Sequence, residues 1–129
     1  MKKDIKTHSD VQLLVDTFYE KVKNDPIIGP VFTEQFNVNW DRHLQIMYDF
    51  WENALFFTGN YAGNPIASHR RMHKKYPFQP EYFQAWLSLF TATVDELFEG
   101  EKALLAKQRA LSISTVMRIK ILDASKSIQ

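Results

Sequence analysis

Apolar residues recur every three or four positions through most of this chain, and no useful length alternates in twos, so the pattern predicts helices and no sheet. The first stripe is Val11, Leu14, Val15, Phe18 and Val22, with Tyr19 at its edge. Ser9-Asp-Val-Gln12 reads as a capping box that makes Ser9 the N-cap. Asp25-Pro26 ends this helix near Asn24. The next stretch, DPIIGPVF, must bend around two prolines and Gly29, and Ile27, Ile28, Val31 and Phe32 are expected to pack inward.

A second helix follows Asn37 and Asn39. On it Trp40, His43, Leu44, Met47, Phe50, Trp51, Ala54 and Leu55 fall in one arc, opposite Asp41, Arg42, Gln45, Asp49 and Glu52. The turn-rich stretch Thr58-Gly-Asn-Tyr-Ala-Gly-Asn-Pro65 leads to a short helix from Pro65, capped by Asn64 and broken at Tyr76-Pro77. Pro80 opens a long helix with Phe83, Trp86, Leu87, Phe90, Val94, Leu97 and Phe98 on one face, and Gly100 ends it. The last helix runs from Glu101 to about Ala124. Its stripe is Ala106, Ala110, Ile113, Met117 and Ile121, with a thinner stripe of Leu104, Leu111 and Leu122 turned away. The expected architecture is one all-α domain over residues 1–129, with 1–8 and 125–129 as loose tails.

Composition narrows the function classes. The 129 residues are 45% hydrophobic and 14% aromatic, enough for a real core and compatible with a flat ring-shaped ligand. The formal charge of +1 gives no indication of nucleic acid or an anionic membrane as partner. No cysteine is present, which excludes disulfides, thiolate metal sites and cysteine catalysis, and leaves any metal to histidine, carboxylate or a cofactor such as haem. MKKDIKTHSD has no apolar run after its lysines, and no stretch reaches the roughly 20 apolar residues of a membrane span, so a cytoplasmic protein is expected.

Three constellations could carry chemistry. His43 lies well inside the apolar arc of its helix, and His69 lies just past a proline after the following loop, so the two could face opposite sides of a flat cofactor. The bland alternative for His43 is a core histidine bonded to a backbone carbonyl. His69 and His73 form an i, i+4 pair able to hold zinc, but neither a glutamate between them nor a clear third ligand accompanies them. Asp95-Glu96 lies on the polar side of its helix and reads as solvated. The cations Arg70, Arg71, Lys74 and Lys75 are either a solvated turn or partners for carboxylates on a bound group.

Four segments in order resemble the truncated haemoglobins, specifically their third group. They are FYEKVKNDPIIGPVF (Phe18 to Phe32), HLQIMYDFW (His43 to Trp51), GNPIASH (Gly63 to His69) and PEYFQAWLSLFTATVDELFEG (Pro80 to Gly100). The match runs from about Ser9 into the last helix. The chain has no Gly-Gly pair, whereas the other two groups end helices with such pairs.

The resemblance implies a shortened globin, a two-over-two helical sandwich around haem b, with His69 as the iron ligand. Tyr19, His43 and Trp86 would line the distal side, with Met47 and Phe50 beside them and Phe32 packed on the porphyrin. The segment after His69 is longer than the family's usual link and adds His73, but the GNPxxxH register selects His69. Tyr19 and Trp86 can donate hydrogen bonds, and neutral His43 can donate from one nitrogen. Such donors would hold dioxygen or a related small ligand and could polarise a peroxide bond.

The implied function is binding of oxygen or a related ligand, with redox chemistry on nitric oxide or peroxide if a separate reductase supplies electrons. His43 could instead reach the iron itself. Two other classes stay open on the residues alone: a helical interaction module of globin fold without haem, and a zinc protein using His43, His69 and His73.

Overall fold

The computed structural model describes residues 2–59 and 61–123, except for the side chain of Asp123. Its helices are α1 (His8–Lys23), α2 (Trp40–Phe56), α3 (Pro65–Lys75), α4 (Pro80–Leu97) and α5 (Glu101–Arg118). One π-helical turn, Val31–Gln35, lies between α1 and α2, and another, Ile119–Asp123, continues α5. No strand occurs among the described residues. α1 packs on α2 and α4 on α5, while α1 also meets α4 and α2 meets α5, which gives a sandwich of two helix pairs.

The apolar stripes form the core. Val11, Leu14, Val15, Phe18 and Val22 of α1 are buried against Trp51 and Leu55 of α2 and Phe90 and Val94 of α4. Phe90 is the hub. Its ring stacks on Trp51 at 4.5 Å and on Trp86 at 5.6 Å, and Phe18 meets its edge at 5.3 Å. Thr93, the polar interruption of this face, is fully buried and satisfies its hydroxyl by donating to the Leu89 carbonyl at 2.6 Å. α5 contributes mostly small residues, Ala103, Ala106 and Ala110, which let its backbone approach the other helices closely. Of the thinner stripe, Leu104 and Leu111 are exposed and Leu122 is half-buried.

The start of the chain departs from expectation. Residues 2–7 are not a loose tail. Ile5 is buried in the core, and the Lys3 carbonyl accepts from the Glu99 N–H at 3.0 Å. The Asp4 carboxylate accepts from the backbone N–H groups of Lys102 and Ala103, both at 2.9 Å. The first turn of α5 needs such an acceptor, because its N-cap is Gly100, which has no side chain. Gly100 itself sits at φ +140°, and a Cβ there would lie 2.6 Å from Asp4 Cγ, so only glycine admits the carboxylate.

The cap of α1 also shifts. Thr7, not Ser9, is the N-cap. The Thr7 hydroxyl oxygen accepts from the Asp10 N–H, and the Asp10 carboxylate in turn accepts from the Thr7 N–H. Asp10 further accepts from the Lys6 N–H at 2.9 Å and pairs with Lys3 at 2.9 Å.

The bend after α1 packs Ile28 and Val31 inward, but Ile27 points to solvent, 48% exposed. Gly29 permits the bend. A Cβ there would meet the Val22 and Lys23 carbonyl oxygens at 2.9 Å. α5 ends at Arg118, short of Ala124, and the chain continues in the π-helical turn to Asp123. Ala124 and the expected tail, 125–129, lie outside the described residues.

Candidate functional site

A cavity of about 420 Å³ lies between the helix pairs. α1 supplies Tyr19, the following bend supplies Ile28, Val31 and Phe32, and α2 supplies His43, Met47, Phe50 and Trp51. α3 adds Pro65, Ile66 and His69, and α4 adds Phe83 and Trp86. The seven residues that the family resemblance sets around the cofactor and its ligand all line one cavity: Tyr19, Phe32, His43, Met47, Phe50, His69 and Trp86; the candidate carboxylate partners Arg70, Arg71, Lys74 and Lys75 do not.

The distal residues named from the sequence are held by ring contacts. The Tyr19 ring meets His43 edge-on at 5.0 Å and Phe32 at 5.8 Å, and the half-exposed Trp40 stacks on Phe32 at 6.0 Å. Lys23 closes the outside of this cluster with its ammonium 4.4 Å above the Trp40 ring. Burial raises the Tyr19 phenol above its ordinary value, so it stays protonated and able to donate. Trp86 is fixed by stacking on Phe90 and by an edge contact with Phe18 at 5.9 Å.

The two cavity histidines differ in their bonding. Asn64 caps α3 by accepting from the Ala67 N–H at 3.1 Å, and Pro65 occupies the first helical turn. One turn later His69 Nδ1 donates to the Pro65 carbonyl at 2.6 Å, which fixes the ring and leaves Nε2 uncommitted. His43 Nε2 is buried and has no hydrogen-bond partner, so the bland reading of a core histidine satisfied by a backbone carbonyl does not describe that nitrogen. Burial, helped by the nearby His69, pushes the His43 imidazole down to about 4. Burial also lowers His69, against the opposing effect of its Pro65 bond. Both rings are therefore neutral near pH 7.

His73 is placed differently. Its Nδ1 accepts from the Phe78 N–H at 2.8 Å, and the residue does not line the cavity. Among the described residues no three His, Asp or Glu side chains converge as metal ligands, so His43, His69 and His73 do not form the zinc set left open by the sequence. Asp95 pairs with Lys107 and Glu96 with Lys21, both at the surface.

Sequence reasoning missed the α5 wall of the cavity, where Arg109, Ser112 and Val116 join Ile113 and Met117. Arg109, Ser112 and Val116 are exposed and yet line the cavity, which places its mouth beside α5. Their spacing of three and four residues was the available signal. Arg109 has no carboxylate partner among the described residues. Of the other cations considered for a bound carboxylate, Arg70 donates to the Lys120 carbonyl and Arg71 to Ser68 Oγ, both at 3.4 Å.

Comparison with known proteins places this arrangement. No family model matches the chain. It is 30% identical over 118 residues to the group 3 truncated haemoglobin ctb of Campylobacter jejuni, covering 89% of this chain and 91% of that one. It is also 30% identical over 89 residues to the group 2 truncated haemoglobin YjbI of Bacillus subtilis, covering 68% of this chain and 65% of that one. The crystal structure of the group III truncated haemoglobin from Campylobacter jejuni superposes with a TM-score of 0.82 at 28% identity, over 94% of this chain and 95% of that one. The structure of Chlamydomonas reinhardtii THB1 gives a TM-score of 0.67 at 25% identity, over 92% of each chain. The helical sandwich, the shared cavity of His43 and His69, and the near-complete match to a group 3 relative together show that this chain belongs to the truncated haemoglobins, in their third group.

Proposed function

We propose that the cavity holds haem b, with His69 Nε2 as the protein's iron ligand, and that the protein binds dioxygen or a related small ligand beside Tyr19, His43 and Trp86. The observation that carries this reading is the pair of neutral imidazoles in one apolar cavity. One has its Nδ1 tied to a carbonyl and its Nε2 uncommitted, and the other has a buried nitrogen without a partner. A buried polar atom left unpaired costs stability, and His43 lines the cavity, where a bound group can supply the missing partner.

The remaining lining fits a flat aromatic group. Phe32, Met47, Phe50, Phe83 and Ile113 would pack against its faces and edges, and Arg109 at the mouth would pair with a carboxylate. When bound, haem would supply a redox-active iron able to take a small ligand, and His69 is the residue that would hold it. The Pro65 carbonyl holds the His69 ring in the tautomer that presents Nε2. Tyr19, protonated at all ordinary pH values, donates its hydroxyl proton toward negative charge developing on a ligand. Neutral His43 can donate from one nitrogen and accept with the other. The apolar walls exclude water and strengthen each of these bonds. Strong retention suits redox chemistry on nitric oxide or peroxide better than simple oxygen storage. Such chemistry requires electrons from a separate donor.

Titration of the purified chain with hemin tests the proposal. An intense Soret band saturating at one hemin per chain, and shifting with reduction and carbon monoxide, is the expected result. A chain that stays colourless after hemin addition would overturn it and leave the interaction-module alternative. The orphaned His43 nitrogen also supports a second reading, in which His43 closes onto the iron when no ligand is present. A low-spin ferric spectrum that becomes high-spin in His43→Leu would establish it.

A further inference from the structure

The net charge of +1 conceals a strong segregation. From Asn53 to Pro80 the chain carries Arg70, Arg71, Lys74 and Lys75 and no carboxylate, and from Lys102 to Leu122 it carries five Lys or Arg and again no carboxylate. The fold joins the ends of these two stretches. α3 packs on the turn Ile119–Asp123, and Arg70 is fastened to the Lys120 carbonyl. Arg71, Lys74, Lys75, Arg118 and Lys120 are exposed on this joined face, and none has a carboxylate partner among the described residues. Elsewhere four lysines pair with carboxylates: Lys3 with Asp10, Lys21 with Glu96, Lys23 with Glu20 and Lys107 with Asp95. Exposed Val116 and Ile119 lie within this basic field, so the face combines an apolar patch with a charged rim.

Its position gives the face a use. α3 also carries His69, and α5 lines the cavity with Arg109, Val116 and Met117, just before Arg118 and the turn on which α3 packs. We propose that this face docks an acidic one-electron carrier protein, such as a flavodoxin. This use of the face rests on the haem reading above. Unpaired cations on a face that adjoins the elements of the cavity wall attract a partner whose own redox group is ringed by carboxylates, raising the association rate by roughly ten- to a thousandfold at low salt. The docked carrier's reduced flavin would lose one electron and the ferric group in the cavity would gain it, with no bond made or broken. The carrier is thereby favoured over an anionic lipid surface, which would cover the mouth without supplying electrons.

Calorimetric titration of the hemin-loaded protein with an acidic flavodoxin tests the docking. It should show binding at low ionic strength that weakens with added salt. Arg71→Glu/Lys74→Glu/Lys75→Glu should bind at least tenfold more weakly, and the milder Lys74→Gln/Lys75→Gln should fall between. An exposed cation on another face, reversed in Arg42→Glu, should leave the affinity unchanged. Stopped-flow reduction by the flavodoxin hydroquinone should slow in parallel in the α3 variants, while reduction by dithionite changes little. Circular dichroism and the Soret band check that each variant is folded and loaded.

Equal affinity of the wild type and the charge-reversed variants would overturn the proposal. So would the absence of flavodoxin binding together with charge-dependent sedimentation on phosphatidylserine vesicles, which would assign the face to a membrane. Because the calorimetry reads binding and the Soret band reads cofactor, failure of the docking and failure of the haem reading are separate results.

Discussion

His43→Leu in the haem-free protein should remove a specific part of its sensitivity to mild acid. In the fold His43 is held neutral by burial, with its affinity for a proton pushed from 6.5 down to about 4. The unfolded chain takes up that proton near the ordinary value, so between the two values the unfolded state binds more protons. The stability contributed by the neutral ring is therefore fully present above about pH 6.5 and is lost as pH falls toward the folded value.

At 1.36 kcal/mol per pH unit, acidification from about pH 7 to about pH 4.5 should cost the wild type about 2 kcal/mol through this residue alone. Half-buried His69 is lowered in the same direction and adds to the loss. Urea unfolding of both proteins at the two pH values isolates His43, because carboxylate titration is common to both and cancels in the difference. The stability lost on acidification should be smaller in His43→Leu by about 2 kcal/mol. Equal losses in the two proteins would refute the claim that the fold holds His43 as a buried neutral imidazole.

Other substitutions test separate links. Asp4→Ala should lower stability by about 1–2 kcal/mol in urea unfolding, as for other lost helix caps, because two N–H groups of α5 lose their acceptor. Burial alone would raise the Asp4 carboxyl, but bonds from Lys102, Ala103 and Ile5 together hold it below the usual range, so wild type should lose this contribution as pH falls below about 4 and Asp4→Ala should not. Phe90→Ala removes the ring at the centre of the aromatic stack and should cost about 3–5 kcal/mol, read as a lower urea midpoint. Tyr19→Phe should release dioxygen roughly ten- to a hundredfold faster in stopped-flow measurements, since a hydrogen bond in a dry pocket is lost. An unchanged rate would remove Tyr19 from the ligand's surroundings.

The helices were legible because each packs one apolar stripe on a neighbour, and period and punctuation suffice to place such elements. Pro65, Pro80 and the Asn64 cap fixed starts that the structure reproduces. The N-terminal segment was not legible, because its fixing contacts are made 98 and 99 residues away, and Lys2 to Thr7 look polar in isolation. The α1 cap was misplaced because Ser9 and Thr7 both start plausible boxes, and the choice lies in the contacts of Asp10 with Lys3 and Lys6.

The same distinction divides the cavity. His43 was visible as a polar residue inside an apolar arc, and His69 through a local motif. Arg109, Ser112 and Val116 lie on a mixed face of α5, and only the tertiary fold brings that face to the cavity mouth. The charge segregation was present in the sequence, but its joining into one face depends on α3 meeting the end of α5.

The most direct test of the central claim is a hemin titration of His69→Gly with and without free imidazole. If His69 is the protein's iron ligand, the variant should lose the wild-type Soret band, and added imidazole should restore it by occupying the space left by the side chain. A variant that binds hemin with the wild-type spectrum, unaffected by imidazole, would contradict the account.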